Sequence, residues 1–230
     1  INPNDPKPQI IHAALRYHQG DISLIEEVLR SQHKNHPYCR SIKWVYELAN
    51  TPLIFFNRWS FFDHMIDICD TGRPFYEFGV WNGASFKYLI KSLHTGFGFD
   101  TFEGLPEDWH TEKAGSYSAF GSIPKIKGGN FIKGKFEETL PIFFSEQRPT
   151  ASIINFDADL YSSTICALEN CKSVIDSKTI LIFDEFIINS SWEEDEYRAL
   201  NEFCAKHHYT YIVIAVSYFT KQVAVKLIEK

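Results

Sequence analysis

Hydrophobic and polar positions divide the chain into two regimes. From about Arg73 onward, short apolar runs rich in β-prone residues alternate with stretches of helical spacing, the signature of a mostly parallel sheet flanked by helices. The predicted strands are Phe75–Phe78, Gly96–Phe99, Asn130–Lys133, Ser152–Phe156, Thr179–Phe183, Tyr209–Ser217 and Gln222–Ile228. Between them Ala84–His94, Ser163–Asp176 and Trp192–His207 carry helical periodicity, with Leu89, Ile90 and Leu93 on one face of the first. Too few residues separate the last two strands for a parallel crossover, so one C-terminal strand must run antiparallel to the rest.

Before Arg73 there is no such alternation. Ser23–Arg30, Ser41–Ala49 and Leu53–Cys69 read as three helices, either a cap over a cleft or a layer packed on the sheet. The expected division is therefore a helical segment over 1–72 and a sheet domain over 73–230. One connection, Gly104–Gly129, is rich in Gly, Ser and Pro and has little regular pattern; such length implies a lid or an irregular stretch of surface.

Composition narrows the function classes. A chain of 230 residues with 44% hydrophobic and 23% charged residues buries a real core and is not intrinsically disordered. Aromatics reach 16%, with 20 Phe, so flat side chains build much of that core. A formal charge of −6 without a basic run excludes nucleic acid as the expected partner. No apolar stretch approaches the roughly 18 residues that span a bilayer, and Ile1–Pro6 lacks the basic-then-apolar order of a signal peptide. The five cysteines (Cys39, Cys69, Cys166, Cys171 and Cys204) form no Cys-x-x-Cys spacing, which points to a reducing, cytoplasmic setting.

Candidate chemistry lies at the carboxyl ends of the strands, where open parallel sheets bind ligands. The first ends Glu77-Phe78-Gly79-Val80-Trp81-Asn82-Gly83-Ala84-Ser85. This is not G-x-G-x-x-G, so a pyrophosphate cradle is poorly supported. A carboxylate beside the glycine turn repels a diphosphate and welcomes an ammonium or sulfonium. The second strand ends in Asp100, about 20 positions beyond that turn, where an acidic residue accepts hydrogen bonds from ribose hydroxyls or simply caps the turn. Together Glu77 and Asp100 describe a nucleoside carrying positive charge, as S-adenosylmethionine does. Asp157 and Asp159 follow the fourth predicted strand, Asp184 and Glu185 the fifth. Four crowded carboxylates call for a compensating cation, and Mg²⁺ or another hard divalent ion is the simplest. Alternatively, Asp159 caps the next helix and Glu185 faces solvent. The nine histidines form no ligand spacing, and no G-x-S-x-G elbow or Walker loop is present.

Four blocks, Glu77–Gly83, Gly98–Pro106, Phe136–Pro141 and Asp157–Thr164, in this order resemble the macrocin O-methyltransferase (TylF-type) family of class I S-adenosylmethionine-dependent methyltransferases. The resemblance spans about Glu77 to Glu185. It implies a Rossmann-like α/β fold with a seven-stranded, mostly parallel sheet and one antiparallel C-terminal strand. It also implies Mg²⁺-dependent methylation of a small-molecule hydroxyl, usually on a sugar, and self-association into a homo-oligomer. Carried over by position, Glu77 and Gly79 line the methionine part of the cofactor, with Gly83 and Ser85 in the same turn. Asp100 and Thr101 hold the ribose side, and Phe102, Gly134 and Phe136 lie near the adenine. Asp157, Asp184 and Glu185 are the implied metal ligands, Glu185 standing where the family usually has Asp. Asp157 and Asp159 are the catalytic candidates, Asp159 as a further ligand or as general base. The Gly-Cys pair that often follows Trp192 in the family is replaced by Glu193-Glu194.

Three rival readings share some of these residues. Asp157-x-Asp159 after an apolar strand also suits a nucleotide-sugar glycosyltransferase holding Mn²⁺, but leaves Glu77 and Asp100 without a task. An Asp-x-Asp-x-Thr phosphatase is weaker, because position 161 is Tyr. A catalytically silent binding module would keep the fold and lack the acceptor.

Overall fold

The computed structural model describes residues 5–230, and among them eight strands form one sheet. In chain order these are β1 (Leu53–Phe55), β2 (Phe75–Phe78), β3 (Gly96–Asp100), β4 (Gly129–Lys133), β5 (Ile153–Phe156), β6 (Ile180–Phe183), β7 (Tyr209–Ser217) and β8 (Val223–Glu229). The helices are α1 (Lys7–His18), α2 (Ser23–Arg30), α3 (Pro37–Tyr46), α4 (Arg58–Ile68), α5 (Ala84–Leu93), α6 (Phe136–Phe144), α7 (Tyr161–Cys171) and α8 (Glu196–Lys206). Strand order is β1-β7-β8-β6-β5-β2-β3-β4. Every pairing is parallel except those of β8, which runs antiparallel to β6 and β7 as the short hairpin requires.

Two expectations are corrected here. The sheet has eight strands, because the stretch read as one helix over Leu53–Cys69 is β1 followed by α4. The break falls at Asn57, whose side chain accepts hydrogen bonds from the backbone N–H groups of Trp59 and Ser60 and so caps α4. Before it, the apolar run Leu53-Ile54-Phe55 pairs in parallel with Ala215-Val216-Ser217 of β7. Two further helices, α1 and α6, lie where no helix was expected, and α6 keeps its Pro141 inside.

Side-chain alternation sends two cores to the two faces of the sheet. Tyr76, Phe78, Ile154, Phe156, Leu181 and Phe183 belong to one, shared with α1–α3, α6, α7 and α8. Phe75, Ile153, Ile180 and Ile182 belong to the other, shared with α4 and α5. The first core contains a ladder of four rings at one register: Phe99, Phe78, Phe156 and Phe183 stack with centroid separations of 5.0, 5.4 and 4.7 Å. Much of the unusual phenylalanine content is explained by this ladder and its neighbours Phe136, Phe143, Phe144 and Phe186. Ladder residues are the last of β2, β5 and β6 and the penultimate residue of β3, so a flat, rigid layer lies under whatever binds at the strand ends.

Candidate active site

Strand order reverses between β2 and β5, where β3 lies on one side and β6 on the other. A cavity of about 310 Å³ opens there at the carboxyl ends of these strands, as expected for this topology. Its wall at the end of β2 exists because of Gly79. That residue has φ +89°, and a Cβ there would sit 1.8 Å from the backbone oxygen of Asp157. Only glycine lets the β2 and β5 ends lie this close.

Asp100 holds the turn that follows. One carboxylate oxygen accepts the backbone N–H groups of Val80 (2.7 Å) and Trp81 (2.6 Å), and the other accepts that of Phe102 (2.6 Å). The turn-capping reading of Asp100 is therefore realised, and the residue still lines the cavity. Glu77 stands differently from expectation. It points toward α5, is fully buried and does not line the cavity; its Oε1 accepts a 2.7 Å bond from Ser85 Oγ, and Ser85 is the group that reaches the cavity wall. Glu77 Oε2 and both side-chain polar atoms of Asn155, its register partner on β5, make no hydrogen bond among the described residues. Burial pushes the Glu77 carboxyl up to about 8 despite the Ser85 bond.

Of the remaining expected cofactor positions, Thr101 and Phe136 line the cavity, whereas Gly83, Phe102 and Gly134 lie behind it as turn formers or core. Gly83 has φ +76° as the cap of α5.

Asp157, Asp159, Asp184 and Glu185 all line the same cavity. Asp159 has φ +63°, a conformation costly for a non-glycine residue, and its carboxyl is pushed up to about 8 by burial and by the charges of Glu185 and Asp184. Burial and the neighbouring Asp184 raise Asp157 as well. Two of the three residues expected to ligate a metal are already paired with protein cations. Asp184 accepts a 2.7 Å bond from Arg58 on one oxygen and a 2.6 Å bond from Gln222 on the other. Glu185 Oε2 accepts both Lys221 Nζ (2.6 Å) and Asn189 Nδ2 (2.8 Å). Among the described residues, no group of three or more His, Cys, Asp or Glu side chains is arranged to hold an ion.

Arg58 and Lys221 were not picked out from the sequence. Both were accessible to it in principle: Arg58 follows the Asn57 helix cap at the end of a strand, and Lys221 sits in the tight hairpin before β8, on the strand-end rim. The Gly104–Gly129 connection is also more ordered than its composition suggests. Leu105 exchanges backbone bonds with Gly115 and Ser116, Trp109 pairs with Glu112, and both Ala119 and Gly121 donate to the Phe102 carbonyl. His110, given no role from sequence, joins this loop to the residue preceding α8 through Asp195 (2.8 Å) and touches Ser190 Oγ (3.1 Å). Leu105, Pro106, Trp109 and Tyr117 thereby wall the cavity, and Tyr117 meets the exposed Trp81 edge-on at 6.2 Å.

The sheet order, the reversed β8 and the strand-end cavity define a Rossmann-like class I methyltransferase fold. Solved structures agree on that fold. The chain is similar to the O-methyltransferase NovP (TM-score 0.57, 17% identity, 74% of this chain and 78% of that one). It is similar also to CalS11, described as a calicheamicin methyltransferase (TM-score 0.58, 17% identity, 97% and 93%). An apo structure of CalS11, described as a TDP-rhamnose 3'-O-methyltransferase, matches with TM-score 0.51 over 98% of this chain and 96% of that one, again at 17% identity. No protein-family profile matches the sequence, and no curated protein does.

Proposed function

We propose that this chain is an S-adenosylmethionine-dependent O-methyltransferase acting on a hydroxyl of a small molecule, a sugar or a glycosylated metabolite. The observation that carries the reading is the gathering of acidic groups around one strand-end cavity at the topological switch point. The Gly79 turn and Asp100 line it together with Asp157, Asp159, Asp184 and Glu185, and the buried, partly unbonded Glu77 lies behind Ser85 at its wall. A diphosphate would meet several carboxylates in this lining, which disfavours the glycosyltransferase reading. The sulfonium and ammonium of S-adenosylmethionine complement such a lining. CalS11, described as a TDP-rhamnose 3'-O-methyltransferase and sharing the fold, supports the acceptor class, as do Trp81, Trp109 and Tyr117, whose flat faces suit the C–H face of a sugar ring.

When bound, S-adenosylmethionine supplies an electrophilic methyl group. Gly79 to Trp81 and Ser85 would hold its methionine side, Asp100 and Thr101 the ribose, and Lys135 to Glu137 the base. Asp159 then acts as general base: its carboxylate is on the cavity wall, makes no hydrogen bond among the described residues, and ionises near the working pH. The loop bearing Trp109 and Tyr117 excludes water. The divalent ion implied by the family resemblance does not fit this site, because Asp184 and Glu185 are already paired with Arg58 and Lys221.

Isothermal titration of the protein with S-adenosylmethionine and with a panel of nucleotide sugars separates the two enzyme classes. Transfer of label from methyl-labelled S-adenosylmethionine to a panel of glycosides then tests the activity. Micromolar binding of S-adenosylmethionine alone, followed by glycoside labelling, is expected; binding of a nucleotide sugar instead would overturn the reading.

A further inference from the structure

The resemblance puts a dication among Asp157, Asp184 and Glu185, and the geometry puts a guanidinium there. Arg58 starts α4 in the segment before the main sheet sequence, and its position is fixed by the Asn57 cap and by β1, which joins β7 at the sheet's far edge. Its Nη2 bonds Asp184 Oδ2 at 2.7 Å, and Asp184 is almost wholly buried while Arg58 keeps about a third of its side chain exposed, lining the cavity. Its other two guanidinium nitrogens make no hydrogen bond among the described residues. Gln222, fully buried, takes the second Asp184 oxygen, and Lys221 with Asn189 converges on one oxygen of Glu185. Asp184 and Glu185 thus have protein donors, and Arg58 is the cation whose charge acts on the buried Asp157. A dication entering beside Asp184 would meet a guanidinium at contact distance, a repulsion large in a site shielded from water.

We propose that Arg58 is this enzyme's resident cation: it occupies the locus of the family's metal ion, and its free N–H groups bind the acceptor oxygen. The inference rests on the methyl-transfer reading in its last part only. There the acceptor hydroxyl, held by Arg58, gives its proton to the Asp159 carboxylate; the oxygen forms a bond to the methyl carbon as the carbon–sulfur bond breaks, and the sulfur keeps that electron pair, leaving neutral S-adenosylhomocysteine sulfur. A guanidinium at the oxygen steadies the developing alkoxide with no exchangeable ion.

The test is Mn²⁺ binding, read by electron paramagnetic resonance on the full chain with S-adenosylhomocysteine present, in wild type, Arg58→Met and Arg58→Lys. Wild type and Arg58→Lys are expected to bind no Mn²⁺ up to millimolar concentration. Arg58→Met, with the carboxylates freed, should gain one Mn²⁺ site at least 10-fold tighter than any in wild type, and that site should vanish in Arg58→Met/Asp184→Asn. Stoichiometric Mn²⁺ binding by wild type would overturn the proposal, and so would a folded Arg58→Met that gains no site. Should Arg58→Met not fold, the wild-type and Arg58→Lys results decide. Binding of S-adenosylhomocysteine, measured in the same samples, is the separate arm: its absence would sink the methyl-transfer reading while leaving the cation assignment standing.

Discussion

Ionisation at two buried carboxyls sets the residue-scale expectations. Glu77, raised to about 8 by burial, is mostly protonated at neutral pH in the free protein. An onium group arriving beside Ser85 favours the ionised form, so cofactor binding at pH 7 should release a proton. Titration calorimetry in two buffers of different ionisation enthalpy should detect about one proton per site in wild type and almost none in Glu77→Gln. The same carboxyl makes the free protein sensitive to alkali. Its folded value lies above its ordinary 4.5, so the native state holds the proton more tightly than the unfolded chain. That contribution to stability is complete below about pH 4.5 and is lost as pH rises toward 8. The melting temperature should therefore fall across that window, and fall less in Glu77→Gln. Asp159 as the proposed general base obeys a different logic, because a base works only when ionised. With its carboxyl at about 8, kcat/KM should climb with pH and level off above that value. Asp159→Asn should lower kcat by about 100-fold or more while leaving the affinity for S-adenosylmethionine nearly unchanged. A variant that keeps the rising limb of the profile would move the base elsewhere.

At the scale of elements, the strands were legible because burial on both faces leaves nearly continuous apolar runs, and the hairpin was legible because five residues cannot cross a sheet. What the sequence hid was local. Leu53–Cys69 has helical spacing throughout, and only the Asn57 cap marks that its first three residues are a strand whose identity depends on the distant β7. Glu77 illustrates the complementary failure. Its position beside the glycine turn was readable, but β-strand parity directs it into the α5 face, where Ser85 stands between it and the cavity. Two substitutions test the elements that carry the site. Gly79→Ala places a methyl 1.8 Å from the Asp157 carbonyl in a left-handed backbone, so the β2 and β5 ends must part. Urea unfolding should show a loss of about 1–3 kcal/mol or more, with cofactor affinity abolished. Phe156→Ala removes a central ring of the stacked ladder and should cost about 3–5 kcal/mol.

Across the whole molecule, segments far apart in sequence are held together beside the cavity by aromatic packing, Trp44 of α3 lying against Phe186, Trp192 and Tyr197, and by specific polar contacts. Arg40 of α3 reaches the Ser190 carbonyl and both carboxylate oxygens of Glu193, while Ser41 Oγ accepts the backbone N–H of Ile188. The helices α1–α3 are thus tied to the segment between β6 and α8, the same segment that His110 of the Gly104–Gly129 loop grips through Asp195 and Ser190. Loop, α3 and the β6–α8 connection therefore share one anchor, and it was not readable in the sequence because it is assembled from three stretches with no motif in common. If His110–Asp195 is the latch of the aromatic wall, Asp195→Asn should loosen the loop without touching the cofactor end. Limited proteolysis should then cut within 104–128 several-fold faster than in wild type, with S-adenosylmethionine affinity unchanged and KM for the glycoside acceptor raised. Equal cleavage rates would mean that the loop's own backbone bonds, Leu105 to Gly115 and Ser116, hold the wall unaided.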